Sequence, residues 1–292
     1  MQDHYTKLYP TLSQHNSHPM DKNIVFQEDG HKYTILSDPN STYTSVTTWN
    51  HIHFPKFDAD AIIQTMMKGK NWNPSNKYWN MTPEEIKSQW NANSKQVSSQ
   101  GTDMHYQIEC FMNNPTLEKG YTHKELYDEY NLNNPYTLLE NQPTTLEWSY
   151  FLEFVKNNPT LKPYRTEWLI YNEELKLAGS IDMVYETENG DLLIYDWKRS
   201  KEITKTNSWG KSAITECINH LPDTNFWHYS LQLNTYKNIL ENRYGKKVVG
   251  LFLVKLHPDN SKKSYEVLKV PFLEEEMKDM TEYRKSLLLV KS

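Results

Sequence analysis

Hydrophobic spacing divides the chain into a helix-rich first half and a strand-rich second half. In the first half, the pattern predicts helices over 45–51, 58–68, 82–93, 100–111 and 144–157. In the second half, alternating or continuous apolar runs predict strands over 165–171, 177–185, 192–197, 246–256 and 265–270. Two further helices are predicted over 226–244 and 273–288. Strands interleaved with helices predict an α/β fold with a mixed sheet and helices packed on it.

The first ninety-odd residues carry weaker signals. Residues 1–22 are polar and predict an irregular arm, and short apolar segments on either side of Glu28-Asp29-Gly30 predict a small hairpin over 23–36. Asp58 is placed to cap the helix that follows it, and Thr82-Pro83-Glu84-Glu85 has the sequence of a capping box. We expect residues 1–95 to form an arm, a hairpin and a helical cap on a core formed by residues 96–292.

The second and third predicted strands carry the most informative charges. They flank Asn189-Gly190, a pair typical of a tight hairpin turn because both positions tolerate a positive φ. One strand contains Asp182; the other contains Asp196 and Lys198, which share a face because they are two residues apart. Carboxylates among apolar side chains are costly to bury without a cation. A divalent metal plus one ammonium would satisfy this cluster, and oxygen ligands favour Mg²⁺ or Mn²⁺ over Zn²⁺.

These residues resemble the core of the PD-(D/E)XK nucleases. Gly179-Ser180-Ile181-Asp182 and Asp196-Trp197-Lys198 are similar to the G-x-x-D and (D/E)-x-K motifs of that superfamily. Gly101-Thr102-Asp103-Met104-His105 upstream and Gln232-Leu233-Asn234-Thr235-Tyr236 downstream are similar to motifs of its RecB-like exonuclease branch. That branch includes lambda-type exonucleases, nucleases of large DNA viruses and mitochondrial genome-maintenance exonucleases. The resemblance covers roughly residues 98–256.

The resemblance implies a restriction-endonuclease-like αβββαβ core and a two-metal site. By this likeness the metal ligands are His105, Asp182, Asp196 and the backbone carbonyl of Trp197. The ions are Mg²⁺ or Mn²⁺, which would lower the pKa of bound water and neutralise charge on the phosphoryl oxygens. Lys198 would orient the attacking water or stabilise that charge.

Four further side chains are candidates for the same site. Gln232 and Tyr236 share a helical face, and the resemblance implies that they line the site and contact the DNA backbone or Lys198. Glu109 lies one helical turn after His105 and is expected to support the helix or a ligand. Glu167, on the strand before Asp182, either adds an acid near the metals or faces solvent beside Arg165.

Composition limits the alternatives. The formal net charge of −5 gives no global basic field, although a local basic channel remains compatible with it. The two cysteines are too few for an iron–sulfur cluster of four thiolates. No apolar run is long enough for a transmembrane helix, and the N-terminal residues do not resemble a signal or transit peptide, so an intracellular, soluble protein is expected. Gly210-Lys211-Ser212 resembles the tail of a phosphate loop, but position 205 is Lys where the first glycine would be, which excludes an ATPase.

Basic stretches and tryptophans suggest where nucleic acid would lie. Residues 198–205 and 243–247 are basic, and they flank the proposed site in sequence. Exposed tryptophans among the candidates would stack bases in a groove whose lysines follow the phosphates; the candidates are Trp72, Trp79, Trp90, Trp209 and Trp227. Each feature also has an ordinary interpretation as a solvated loop or a core aromatic.

We therefore expect a Mg²⁺- or Mn²⁺-dependent deoxyribonuclease that works from DNA ends, in recombination, repair or genome processing. The same site would serve a structure-specific endonuclease, and a chain with a degenerate site would be a DNA-binding module. The sequence leaves the polarity of digestion, strand preference and oligomeric state open.

Overall fold

The computed structural model describes residues 12–114, 117–132 and 143–290. Its α-helices are α1 (Leu12–His15), α2 (Val46–His51), α3 (Ala59–Lys68), α4 (Pro83–Met112), α5 (His123–Leu132), α6 (Leu146–Asn157), α7 (Asn225–Arg243) and α8 (Glu274–Leu289). Its strands are β1 (Ile24–Gln27), β2 (Lys32–Ile35), β3 (Thr44–Ser45), β4 (Lys162–Asn172), β5 (Leu177–Glu186), β6 (Leu192–Lys198), β7 (Val248–Lys255) and β8 (Glu266–Val270). Single 3₁₀ turns cover Pro19–Asn23 and Glu216–Ile218.

The predicted mixed α/β architecture is confirmed. A six-stranded sheet has β5 near its centre, with antiparallel β4 on one side and antiparallel β6 on the other. β6 pairs with β7 in parallel, and β7 pairs with β8 antiparallel. The short β3 pairs in parallel with the beginning of β5, on the side where β6 joins its end. The order is consistent with a restriction-endonuclease-like core.

Helices cover both faces of this sheet, because each face contributes a separate apolar cluster. One cluster joins the sheet to α2, α7 and α8 and includes Trp168, Ile181 and Leu231. The other joins it to α4, α5 and α6 and includes Phe151 and Trp197. The central strands are apolar on both sides, as expected for a sheet buried between helices.

Helix α4 differs from the sequence prediction. Two helices, over 82–93 and 100–111, were expected, but one helix of 30 residues runs through both. The predicted capping box is present at its start, where the Thr82 side chain accepts from the Glu85 amide and the Glu85 carboxylate accepts from the Thr82 amide. Residues 91–100 are all exposed, so helical spacing of apolar residues gives no signal there, yet the helix continues. The boundary expected at residue 95 therefore falls inside a continuous helix, and the division into domains stays a prediction.

Other local predictions need smaller corrections. Part of the segment expected to be an irregular arm is ordered as α1 and a 3₁₀ turn, while residues 1–11 lie outside the described residues. The hairpin between β5 and β6 closes over five residues, 187–191, in which Gly190 has a positive φ of 81° and Asn189 does not. The turn is therefore longer than the two-residue form that Asn189-Gly190 predicts. No helix within the described ranges is both long and apolar enough to cross a bilayer.

Candidate active site

The site lies where β5 and β6 separate. Their ladder begins at the pair Met183–Tyr195, and the next positions, Asp182 and Asp196, are not paired through their backbones. Instead, the Asp182 carboxylate accepts a hydrogen bond of 3.0 Å from the backbone amide of Trp197. The expected hairpin thus brings both acids together, with Asp182 reaching across the gap between the strands. Asp196 is only 2% exposed.

Glu167 owes its place to an unusual backbone conformation in β4. It lies opposite Asp182, between the pairs Thr166–Met183 and Trp168–Ile181, and its φ is +42°. A left-handed backbone conformation within a strand is energetically costly for every residue except glycine. The strands also switch faces here: Ile181 packs in the cluster beside α7, whereas Met183, two residues on, packs in the cluster beside α4. The turn of the backbone directs the Glu167 carboxylate toward His105 and Asp182, so that it lies in the candidate site.

Helix α4 supplies the histidine. The Nε2 atom of His105 lies 3.0 Å from the backbone carbonyl oxygen of Trp197, and its Nδ1 lies 3.5 Å from Asp182 Oδ2 and 3.9 Å from Glu167 Oε1. The Trp197 ring is fixed by edge-on contacts with Phe151 and Phe154 of α6, and this holds the carbonyl in place. His105 therefore lies on the same side as the acids, as the sequence predicts.

The charges of these groups are strongly coupled. Burial and the charge of the neighbouring Asp182 raise the pKa of Asp196, Lys198 opposes them, and the net value is about 6. Burial and the charge of Glu167 raise the pKa of Asp182, against the effects of His105 and Lys198. For His105, burial lowers the pKa, but Asp182 and Glu167 outweigh it and raise the value to about 9. A protonated imidazole at this point supplies the positive charge that three carboxylates require.

Lys198 is held between an acid and an aromatic ring. Its Nζ lies 2.5 Å from Asp196 Oδ2 and 4.3 Å from the centre of the Tyr229 ring on α7. The shared face predicted for Asp196 and Lys198 is confirmed. Burial lowers the pKa of Lys198, but the carboxylates of Asp196 and Asp182 outweigh it, so the net shift is upward. The side chain is an ammonium at neutral pH.

Tyr229 is a site residue that sequence reasoning missed. Gln232 and Tyr236 were expected to contact the DNA backbone or Lys198; the structure adds an aromatic contact to Lys198 from Tyr229, three residues before Gln232. The signal was present, because residues 225, 229, 232 and 236 follow helical spacing and share one face. Ser180 was also passed over; its hydroxyl donates a 2.8 Å hydrogen bond to Glu167 Oε2.

Gln232 and Tyr236 form a hydrogen-bonded pair on α7. Burial is the larger cause of the raised pKa of the Tyr236 hydroxyl, and Tyr236 is close enough to the site for the charges of Asp182 and Asp196 to raise this pKa further. The Gln232 amide donates to the Tyr236 hydroxyl at 3.2 Å, and Tyr236 is buried. A methyl group placed on Gly179 would lie 2.8 Å from Tyr236 Cε1 and 3.3 Å from Val46 Cγ2. The first glycine of the G-x-x-D motif is therefore required because Tyr236 packs on it. This contact ties α7 to the strand that carries Asp182.

Glu109 lies behind the histidine. Burial raises the pKa of its carboxyl to about 7, with the charge of Glu167 adding to the shift and His105 opposing it. A carboxyl group with a raised pKa is less often charged near neutral pH than a free one, so it adds less repulsion to the acids in front of it. This fits the supporting position expected for Glu109.

The arrangement fits a divalent cation. One potential ligand atom from each of His105, Glu167 and Asp182 lies within 4.8 Å of the others. Next to them, Asp196 Oδ1 is buried and has no hydrogen-bond partner among the described residues. Buried, mutually repelling carboxylates with an orphaned oxygen are stabilised by a hard cation, and the oxygen and imidazole donors suit Mg²⁺ or Mn²⁺. The site is thus a candidate metal centre on an α/β sheet.

Fold and site together define an α/β protein with a candidate metal centre on a restriction-endonuclease-like sheet. The sequence matches the PD-(D/E)XK nuclease superfamily over residues 86–289, more than two thirds of the chain. The chain belongs to this superfamily. It is therefore a hydrolase that acts on nucleic acid, in a group of enzymes that depend on divalent metals.

Comparisons with solved structures and with curated proteins define no narrower group within the superfamily. Among solved structures, the chain is similar to a protein described as a putative exonuclease from Eubacterium rectale, with 10% identity and a TM-score of 0.31. The match covers 62% of this chain and 70% of that one. Among curated proteins, none matches the sequence. The RecB-like branch and its viral and mitochondrial members stay predictions.

Proposed function

We propose that this protein is a deoxyribonuclease that digests DNA from its ends, using two Mg²⁺ or Mn²⁺ ions, in recombination, repair or genome processing. The observation that carries the proposal is the convergence of His105, Glu167 and Asp182 beside the Asp196–Lys198 pair. Hydrolysis of a phosphodiester requires positive charge near the phosphoryl oxygens and an oriented water. This cluster offers ligands for cations, which would supply the positive charge, and it offers the Lys198 ammonium, which would orient the water.

The ions would be held by His105, Asp182, Asp196 and the Trp197 carbonyl, with Glu167 as an additional carboxylate. When bound, they supply Lewis acidity toward the phosphate and toward water. Metal binding would replace the proton on the imidazole, because the same negative charges that raise the pKa of His105 attract a cation.

Lys198 contributes charge and hydrogen bonds rather than a base. Its ammonium has donors but no acceptor, and Asp196 together with the Tyr229 ring fixes its direction. It can hold the attacking water by a lone pair or bind a phosphoryl oxygen as negative charge grows there. An intact acid–lysine pair favours catalysis over the alternative of a degenerate DNA-binding module.

The first test is degradation of end-labelled single- and double-stranded DNA with Mg²⁺ or Mn²⁺. We expect Asp196→Asn and Lys198→Ala each to lower the rate at least about 100-fold, because each removes an interaction that acts on the developing charge. Asp128→Asn is the matched control: this acid lies on the exposed face of α5, paired with Lys124, and its loss should leave the rate unchanged. Circular dichroism checks that the folds agree. Wild-type protein that releases no label with either metal would contradict the proposal.

A second substrate pair tests the dependence on ends. An exonuclease leaves covalently closed circles intact while linear molecules of the same sequence disappear. Equal loss of circles and linear DNA would instead favour the structure-specific endonuclease. Parallel incubation with RNA tests the choice of DNA.

A further inference from the structure

The loop that follows Lys198 presents a tryptophan to solvent in an ordered turn. Trp209 is 84% exposed, a very large fraction for a tryptophan. The turn around it is built by one side chain: Asn207 Oδ1 accepts from the amides of Trp209 and Lys211, and Asn207 Nδ2 donates to the Lys211 and Asp223 carbonyls. Gly210 supplies the positive φ, 63°, that closes the turn. An aromatic ring held outward in this way is available to a ligand.

The same loop is fastened to the helix that carries site residues. Asn225, in the first turn of α7, donates to the Glu202 carbonyl and accepts from the Thr204 amide, and the Trp227 indole donates to the Lys205 carbonyl. Asn225 lies one helical turn from Tyr229, which contacts Lys198. Since a turn rises about 5.4 Å, the loop begins close to the candidate metal centre and is fixed relative to it.

Two lysines on this loop are free to meet phosphate. Lys205 lies over the Phe226 ring at 4.7 Å, and within the described ranges neither Lys205 nor Lys211 has an acidic partner within ion-pair distance. By contrast, Arg199 and Lys201, at the start of the loop, pair with Glu147 and Asp259. The positive charge left unneutralised therefore flanks Trp209. It lies in a chain whose net charge is −5.

We propose that the loop is a grip for the substrate strand, in which Trp209 stacks on an unpaired nucleobase while Lys205 and Lys211 contact the adjoining phosphates. The proposal rests on the proposed function, because it assigns the ligand of the same site. An exposed indole flanked by cations is the combination that single-strand binding uses. The faces of bases inside a duplex are covered by their neighbours, so the ligand is a single strand or an unpaired end. The Gly210-Lys211-Ser212 sequence, which does not form a phosphate loop, belongs to this turn.

Binding to a labelled single-stranded oligonucleotide tests the grip directly. Measured in the Asp196→Asn background, so that the oligonucleotide survives, Trp209→Ala should weaken binding about tenfold or more, and Trp209→Phe should weaken it less. Leu132→Ala is the control, because Leu132 is 78% exposed but lies on α5, and it should not change the affinity. A closed duplex circle should bind the parent and Trp209→Ala equally. Equal affinities of parent and Trp209→Ala for the single strand would overturn the proposal, as would equal losses on single strand and duplex.

Salt dependence separates the lysines from the tryptophan. Each phosphate contact on a single strand contributes about 0.7 to the slope of log affinity against log salt. Lys205→Gln and Lys211→Gln should each reduce the slope by about that amount, whereas Trp209→Ala should leave it unchanged. Unchanged slopes in both lysine variants would overturn their assignment.

These results can be told apart from those on catalysis. Wild-type protein that degrades DNA while Trp209→Ala binds as tightly as its parent refutes the grip and leaves the nuclease intact. Protein that binds single strands through Trp209 but releases no label refutes the nuclease and supports the grip.

Discussion

At the scale of single residues, packing fixes the site as strongly as charge does. Glycine stands at position 179 because the Tyr236 ring occupies the space that a side chain would need, and this contact sets the distance between α7 and β5. Glu167 enters the site only because its backbone adopts a left-handed conformation inside a strand. The requirement at Gly179 is one of packing and the requirement at Glu167 is one of backbone conformation, and neither depends on the ability of the side chain to bind a metal.

Gly179→Ala tests the packing requirement. Because the new methyl group would lie 2.8 Å from Tyr236 Cε1, we expect it to lower the free energy of unfolding by about 1–3 kcal/mol and to reduce nuclease activity through displacement of α7 or Asp182. Urea denaturation and the rate of DNA degradation measure the two effects. Gly190→Ala is the control: it strains the β5–β6 turn, where φ is 81°, but meets no atoms, so it should lower stability and spare activity. Full stability and activity in Gly179→Ala would contradict this account.

At the scale of elements, α4 connects the residues around position 83 to the candidate metal centre. It starts at a capping box, passes through ten exposed residues and delivers His105 to the site before its last turns pack against the sheet and α6. Its middle section makes no buried apolar contact, so the helix is maintained there by its own hydrogen bonds and by its anchored ends. His105 is therefore positioned by a continuous helix rather than by a loop.

Substitutions at Gly101, one turn before His105, test this role. Its conformation is helical and a methyl group would meet no atom within 4 Å, so Gly101→Ala should raise the free energy of unfolding by about 0.5–1 kcal/mol and leave activity unchanged. Gly101→Pro should lower the free energy of unfolding by about 3 kcal/mol or more and lower activity sharply, because it kinks the helix just before His105. Denaturation curves and DNA degradation provide both measurements. A proline variant that keeps full activity would show that His105 does not depend on a continuous helix.

At the scale of the whole molecule, the side chains of the candidate centre come from α4, β4, β5 and β6. Without a cation, buried carboxylates repel one another and this opposes folding, although the protonated His105 offsets part of the repulsion. A ligand that binds only the folded protein stabilises the entire fold by mass action.

Thermal unfolding with and without metal measures this coupling. At a metal concentration of about 100 times Kd, binding adds about 2.7 kcal/mol, which should raise Tm by about 4–5 °C and be reversed by a chelator. Asp182→Asn should abolish most of the shift, whereas Asp128→Asn should retain it. A shift of the same size in Asp182→Asn would place the metal elsewhere.

Much of the fold was predictable because its signals are local. Strands β4 to β7 and helices α6 and α7 follow from apolar spacing, and the caps of α3 and α4 follow from Asp58 and Thr82. The continuous course of α4 was not predictable, since residues 91–100 carry no apolar face. Helix α5 and the pairing of β3 with β5 were missed for a related reason: a ten-residue polar helix and a two-residue strand have too few apolar positions to show a period.

The sequence by itself determined which chemistry is possible, because the identity and spacing of Asp182, Asp196 and Lys198 fix which groups share a face. Only the tertiary structure decided that Glu167 lies beside His105 and Asp182 and that the Tyr229 ring contacts Lys198. The physical reason is that spacing fixes directions within one element, whereas a left-handed residue and the packing of a ring on Gly179 set directions between elements.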